Sequence, residues 1–81
     1  MSEDDLSAII RDLFLSGDAS IAVPPDLDLV AAGICDSFAL LELAMAVERR
    51  VGGPAIPDSD VTVDNFGSIG RIQTYLAARA G

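Results

Sequence analysis

The chain has 81 residues, which is enough for one domain with a modest core but too few for a buried catalytic cavity with a lid. Thirteen acidic side chains outnumber five arginines and give a formal net charge of −8. Because such a chain repels phosphates, we expect no binding to nucleic acid or to an anionic membrane, and we predict partners with basic patches. No apolar run approaches the roughly 18–20 residues that span a bilayer. The acidic N-terminal residues are unlike a signal peptide, so we predict a cytoplasmic location.

The chain contains no histidine and one cysteine, Cys35. Without histidine there is no Ser-His or Cys-His pair to activate a nucleophile, and no imidazole to bind a metal or transfer protons near neutral pH. A single cysteine excludes an internal disulfide and a thiolate metal cluster. We therefore predict that the protein is not an enzyme, and that Cys35 is a small buried hydrophobic residue.

The first predicted helix covers residues 3–15. Ser2 is its N-cap, and acidic residues occupy the first turn, where the helix dipole favours them. Gly17 ends the helix. One apolar stripe runs along it at helical spacing: Leu6, Ile9, Ile10, Leu13 and Phe14.

A long connection follows, over residues 16–36. Pro24 and Pro25 exclude a helix interior here. The connection nevertheless carries many apolar residues, so we expect it to pack across the core. These residues are Ile21, Val23, Leu27, Leu29, Val30 and Ile34.

The second predicted helix covers residues 37–51 and is the strongest helical pattern in the chain. Asp36 and Ser37 are both residue types that cap helices, and Gly52 and Gly53 end the pattern. Its predicted inward residues are Phe38, Leu41, Val47 and Val51, with Leu43 and Ala44 between them. Its predicted solvent-facing residues are Glu42, Glu48, Arg49 and Arg50.

The remaining segment predicts an acidic turn and two further helices. Asp58, Asp60 and Asp64 lack the spacing of a calcium loop, so we interpret residues 57–64 as an acidic turn. Thr62 caps a short helical turn that carries Phe66. Ser68 caps a final helix that runs to about residue 78, with an inner stripe of Ile69, Ile72, Tyr75 and Leu76. The predicted fold is all-α: a single domain over residues 1–81 that forms an antiparallel four-helix bundle, with a long loop between helices 1 and 2 and a short helix 3.

Several segments, in a fixed order, resemble the carrier-protein family, meaning acyl carrier proteins and their peptidyl and aminoacyl relatives. Residues 33–38 (G-I-C-D-S-F) are followed by 41–43 (L-E-L) and 47–48 (V-E). Downstream, residues 56–57 (I-P), 63–66 (V-D-N-F) and 68–69 (S-I) match the family's third and fourth helices. Each piece alone is unspecific, whereas their order and spacing together are specific. The Asp-Ser-Phe form is similar to stand-alone carriers of secondary metabolism.

The resemblance implies an arm of 4'-phosphopantetheine on Ser37. In the family, a separate phosphopantetheinyl transferase takes this group from coenzyme A with the help of Mg²⁺ and attaches it to the serine hydroxyl. Asp36 matches the aspartate that assists recognition by the transferase and its metal. The resemblance further implies a monomer that receives an acyl or aminoacyl group from a loading ligase and presents it to condensing or tailoring enzymes.

The same resemblance suggests which residues contact partner enzymes. Glu42 and Glu48 match acidic positions that meet basic patches in relatives, although a solvated helix face explains them equally well. Arg49 and Arg50 stand where acidic residues are frequent. We therefore expect more apolar docking, through Phe38, Leu40 and Met45, although Met45 would equally suit the core.

Two alternatives stay open on the sequence. Cys35 lies two residues from the proposed attachment site, so it could exchange with the thiol of the arm. The protein could also be a small acidic helical domain that binds another protein, with Ser37 acting only as a helix cap.

Overall fold

The computed structural model describes residues 1–80 and is all-helical over that range, with no strand. Four α-helices follow one another along the chain, and one turn of 3-10 helix lies between the second and the third. The predicted all-α class with four helices is therefore confirmed. The elements are α1 (Glu3–Phe14), α2 (Ala39–Val51), the 3-10 turn (Asp58–Asp60), α3 (Val63–Phe66) and α4 (Ile69–Ala80).

Three helices begin at the side-chain caps that the sequence predicts. The hydroxyl oxygen of Ser2 accepts a hydrogen bond from the backbone N–H of Asp5 at 3.1 Å. Thr62 accepts one from the N–H of Asn65 at 3.3 Å. The hydroxyl of Ser68 accepts one from the N–H three residues later, at 3.2 Å. Each cap pairs an N–H group that the first turn of a helix leaves without a partner.

Helices α1 and α2 run antiparallel. The Arg50 guanidinium near the end of α2 lies 3.0 Å from the Asp5 carboxylate at the start of α1. At the opposite ends, Phe14 of α1 and Ala39 of α2 line the same surface depression. Helix α4 packs against both α1 and α3, which closes the bundle around one core.

The core is aliphatic with one buried aromatic ring. Phe66 is fully buried, and its ring lies 5.2 Å from that of Tyr75, centroid to centroid. The long connection contributes to the core as expected, because Val23, Leu29 and Cys35 are buried. Other fully buried side chains come from α1, α2 and α4: Leu6, Ile10, Leu40, Leu43, Val47, Ile69 and Ile72.

The inward face of α2 differs from the predicted one. Leu40, Leu43, Ala44 and Val47 are the residues that face the core. Phe38 and Leu41 lie on the outer face, and Val51 is half exposed at the end of the helix. The prediction for Phe38 and Leu41 was wrong because α2 carries apolar residues all round its first turns, so that more than one face satisfies helical spacing. The prediction for Val51 was also wrong, because this last residue of α2 is only half covered by the rest of the chain.

Within residues 1–80, no helix combines the length and the apolar character that crossing a membrane requires.

Candidate functional site

A compact turn leads the chain into α2. The Asp28 carboxylate accepts hydrogen bonds from the N–H groups two and three residues later, at 3.1 and 3.0 Å. Gly33 ends the turn with a φ of +74°, a backbone conformation that favours glycine. The Leu29 carbonyl then accepts from the N–H groups of Ile34 and Cys35, at 3.0 and 3.2 Å. These bonds fix the chain direction immediately before Asp36.

Two backbone hydrogen bonds join this connection to the corner between α3 and α4. The Leu29 N–H donates to the Gly67 carbonyl at 2.8 Å, and the Gly70 N–H donates to the Pro25 carbonyl at 2.8 Å. A β-carbon on Gly67 would lie 2.4 Å from a backbone oxygen of α3, so the corner needs glycine there. The start of α2 is therefore positioned by parts of the chain on both sides of it.

The structure separates the roles of Asp36 and Ser37. The Asp36 carboxylate accepts a hydrogen bond from the Ala39 N–H at 2.8 Å, which is the geometry of an N-cap. Phe38 already has helical backbone angles. The Ser37 hydroxyl is exposed and makes no hydrogen bond to any part of residues 1–80. Asp36 thus caps the turn that leads into α2, and the Ser37 hydroxyl caps no N–H group within residues 1–80.

Ser37 lies at the edge of an open depression of about 640 Å³. Its hydroxyl sits at the N-terminal end of α2, where the helix dipole favours a negative group. The walls are mainly apolar, and acidic side chains lie on the rim. The lining residues besides Ser37 are Phe14, Val30, Gly33, Ile34, Cys35, Asp36, Ala39 and Glu42.

Cys35 is buried, as predicted, and lies in the wall of this depression. Burial raises the pKa of its thiol, and the negative charges of Asp36 and Asp28 raise that pKa further. The thiol is therefore protonated near neutral pH and is a poor nucleophile.

Three apolar side chains are exposed along the outer face of α2, beginning beside Ser37. Phe38 is 84% exposed, Met45 is 54% exposed and Leu41 is 42% exposed. They follow helical spacing on the side opposite the core, and we call them the α2 stripe. The exposure of Met45 excludes the core position that the sequence left open.

Leu40 requires a correction as a partner contact. Its side chain is 1% exposed and packs in the core, so it has no surface to offer a docking protein. Leu41, which sequence reasoning placed inside, takes its place on the surface. The two residues are adjacent leucines, and only the packing of α2 against its neighbours distinguishes them.

The two glutamates that were predicted as partner contacts have different surroundings. Glu42 is exposed on the rim of the depression. Glu48 is half buried, and its carboxylate accepts a hydrogen bond from the Ile56 N–H at 2.5 Å. Glu48 therefore holds the segment after α2 in place, whereas Glu42 is available to another molecule.

A second cavity, of about 550 Å³, lies at the other end of α2. Neither Ser37 nor any other residue that lines the depression beside it belongs to this cavity. Its walls come from the N-terminal residue, the end of α2, the segment after it and α4, and they include Met1, Val51, Pro54, Ile56, Leu76 and Arg79.

The acidic turn after α2 has a structural role. The Tyr75 hydroxyl donates to the Asp60 carboxylate at 2.6 Å, and burial together with this bond raises the pKa of Tyr75. Asn65 donates to the Asp60 carbonyl at 2.9 Å. Within the described part of the chain, no three acidic or cysteine side chains are grouped so that they could hold a metal ion.

Comparison with protein-family models, with curated proteins and with solved structures found no match for this chain. The resemblance to carrier proteins therefore rests on the motif residues of the sequence. The geometry around Ser37 is the structural observation that bears on it.

Proposed function

We propose that the protein is a stand-alone carrier protein that bears a 4'-phosphopantetheine arm on Ser37. The observation that carries this proposal is the state of the Ser37 hydroxyl. It is exposed at the start of α2 and, among residues 1–80, has no hydrogen-bond partner, while the Asp36 carboxylate accepts the bond from the Ala39 N–H. A serine that only caps would use its hydroxyl on the backbone.

The surroundings of Ser37 suit such an arm. A phosphodiester on the hydroxyl would sit at the N-terminal end of a helix of 13 residues, where the dipole favours negative charge. The neighbouring depression offers apolar walls from Val30, Ile34 and Ala39 to a chain attached at its edge. When bound, the arm supplies a terminal thiol that holds an acyl or aminoacyl group as a thioester.

The chain itself would supply only the attacking hydroxyl and a carboxylate beside it. The Ser37 oxygen would attack the phosphorus atom of coenzyme A that carries the pantetheine portion, and the phosphoanhydride bond would break. The adenosine bisphosphate portion leaves, and the serine proton passes to a base of the transferase. Asp36 orders the turn that carries Ser37, through its bond to the Ala39 N–H. Asp36 also offers one carboxylate oxygen beyond the capping one to the transferase and its Mg²⁺.

In this role the protein has no catalysis of its own. It would act as a monomer in the cytoplasm, receive its cargo from a loading ligase or acyltransferase and present it to condensing or tailoring enzymes. The absence of histidine fits this role, because the partner enzymes supply the general acids and bases.

The test is incubation with coenzyme A, Mg²⁺ and a promiscuous phosphopantetheinyl transferase, followed by the intact mass. We expect one phosphopantetheine group per chain, and none in Ser37→Ala. Ser59 is a matched control, because it is the second exposed serine in the chain that directly follows an aspartate, Asp58. Ser59→Ala should be modified as the original protein is.

An adduct that persists in Ser37→Ala, or no adduct on the original protein, would contradict the proposal. The second outcome would favour the alternative of a small acidic domain that only binds another protein, for which the exposed α2 stripe is the supporting observation.

A further inference from the structure

We infer that the cavity at the far end of α2 is a second binding site, for a small carboxylic acid with a compact apolar body. The cavity measures about 550 Å³ and shares no lining residue with Ser37 and its depression except the helix α2 that joins them. The 13 residues of α2 separate its two ends by about 20 Å, at a rise of about 1.5 Å per residue. We therefore assign the site to a free molecule. The inference goes beyond the proposed function and applies equally to a chain without an arm on Ser37.

The walls of this cavity are mainly apolar and come from four parts of the chain. Met1, Val51 and Pro54 are exposed, and Leu76 is half buried. Binding sites for small molecules have volumes of about 300–1,000 Å³, mainly apolar walls and a few polar groups that orient the ligand. Because four chain segments surround one space, a compact apolar body would contact more of the wall than a narrow chain would. Covering these side chains removes apolar surface from water, which favours binding.

Two polar side chains of the wall hold the same peptide unit from its two sides. The Glu48 carboxylate accepts a hydrogen bond from the Ile56 N–H at 2.5 Å. The Nη2 of Arg79 donates to the Ala55 carbonyl at 3.2 Å, and it also donates to the Pro54 carbonyl at 2.9 Å. Both side chains are thus fixed at the edge of the cavity before a ligand arrives, which lowers the entropy cost of binding one.

Arg79 provides the charge that a carboxylate would meet. Its guanidinium lies 5.6 Å from the centre of the Tyr75 ring, a contact that further fixes its orientation. Its bonds to the backbone use Nη2, which leaves the Nε and Nη1 donors for another acceptor. Glu48 is half buried and already accepts the Ile56 N–H, so it is the less available of the two charges. Guanidinium and carboxylate groups form strong charge-assisted hydrogen bonds, and the polar group of the ligand is therefore assigned as a carboxylate.

The helix ends near the cavity act in the opposite direction. Helices α2 and α4 both end beside it, and the C-terminal end of a helix favours positive charge. That effect is weakened by solvent, whereas the bond to Arg79 is a direct contact. The experiment therefore compares ligands of both charges.

The experiment titrates the unmodified, isotopically labelled protein with naphthylacetate and follows the backbone amide signals by NMR. Naphthylethanol and naphthylethylamine are probes of similar shape that carry no charge and a positive charge. We expect one saturable site, with shifts at Val51, Ile56 and Leu76 and none at Cys35 or Ser37. Naphthylacetate should bind at least about fivefold more tightly than either of the other probes, because it alone pairs with the guanidinium.

Substitutions of Arg79 test the charge. Arg79→Gln should weaken the binding of naphthylacetate about tenfold, because it removes a charge-assisted bond, and should leave the binding of naphthylethanol unchanged. Unchanged binding of the alcohol shows that the apolar walls are intact in this variant. Arg79→Lys keeps the positive charge and should retain a preference for the acid over the alcohol.

Two adjacent alanines of α4 test the position of the site. Both are exposed, but Ala77 lines the cavity and Ala78 lies outside it. Ala77→Trp should weaken the binding of all three probes at least about tenfold, because the indole would occupy the space that they need. Ala78→Trp is the matched control and should bind the probes as the original protein does. Circular dichroism of each variant checks the fold.

Three results of the titrations would overturn the inference. They are the absence of saturable shifts at the cavity, binding of naphthylethylamine as tight as that of naphthylacetate, and equal effects of Ala77→Trp and Ala78→Trp. Sedimentation that shows a dimer of the original protein, lost in Ala77→Trp, would also overturn it, because a second copy would then fill the cavity. The proposed function is tested separately, by the mass of the chain after phosphopantetheine transfer, so the failure of one proposal is distinguishable from the failure of the other.

Discussion

The two ends of α2 use their polar side chains in opposite ways. The serine end comprises residues 36–38 and the depression beside them. Here the Phe38 ring is exposed, and the Ser37 hydroxyl has no hydrogen-bond partner in the part of the chain that the structure describes. At the far end, which comprises the end of α2 and the cavity beyond it, Glu48 and Arg79 hold the backbone of the next segment. The far end is thus held by Glu48 and Arg79, whereas the serine end leaves Ser37 and Phe38 exposed to solvent.

This difference indicates where stability and binding reside. The serine end is held by the Asp36 cap and by backbone hydrogen bonds of the preceding turn, which leaves its other side chains available for contact. Substitutions of the exposed side chains there should therefore alter binding and leave folding intact. Substitution of the bonded Glu48 at the far end should mainly lower the stability of the fold.

The largest expected difference is between the two opposite faces of α2. Leu40→Ala should lower the free energy of unfolding by about 2–5 kcal/mol, because it opens a cavity in the core. Phe38→Ala removes a larger side chain but should change that free energy by no more than about 0.5 kcal/mol, because the ring is exposed. Urea unfolding followed by circular dichroism measures both. A Phe38→Ala loss as large as that of Leu40→Ala would mean that the ring packs against the protein in solution.

The second contrast compares the two glutamates of α2. Glu48→Ala should cost about 1.5–3 kcal/mol, since it removes a charged acceptor and leaves the Ile56 N–H without its partner. Glu42→Ala should stay within about 0.5 kcal/mol, because its carboxylate faces solvent. The midpoints of urea unfolding, compared at a constant m-value, measure the two changes in the free energy of unfolding. Equal losses of unfolding free energy in Glu48→Ala and Glu42→Ala would contradict the conclusion that Glu48 stabilises the fold and Glu42 does not.

The smallest contrast compares Asp36 with Ser37. Asp36→Ala should cost about 1 kcal/mol through loss of the N-cap, and Asp36→Asn should retain most of the stability because an amide oxygen also caps. Ser37→Ala should leave the free energy of unfolding within about 0.5 kcal/mol of the original. Thermal and urea unfolding of the three variants measure these differences. A greater loss for Ser37→Ala than for Asp36→Ala would return the capping role to the serine.

The sequence predicts the helices well because the signals that start and stop them are local. Ser2, Thr62 and Ser68 lie within three residues of the N–H groups that they cap, and the structure confirms all three. The packed connection was also predictable, because its apolar residues are too many for a loop in solvent. Both inferences need only neighbouring residues or composition.

Two properties of α2 depend on contacts between distant parts of the chain, which local sequence patterns do not contain. These are which face of the helix is buried and what each of its acidic side chains binds. Leu40 and Leu41 are identical side chains at adjacent positions, and which one is buried follows from how α1 and α3 pack against the helix. The bond from Ile56 to Glu48 joins a helix to a segment beyond its end, and no spacing rule indicates it. The choice between Asp36 and Ser37 as the cap depends on a shift of one residue in the start of the helix.

The two backbone hydrogen bonds from Leu29 to Gly67 and from Gly70 to Pro25 have a consequence for the order of events during synthesis. The turn that precedes Ser37 is made early, but its partners lie in the corner between α3 and α4, which emerges from the ribosome much later. A nascent chain that ends after α2 would contain Ser37 without the contacts that position it. The serine should therefore become a good substrate only when α4 has been made, so that modification follows folding and acts on finished molecules.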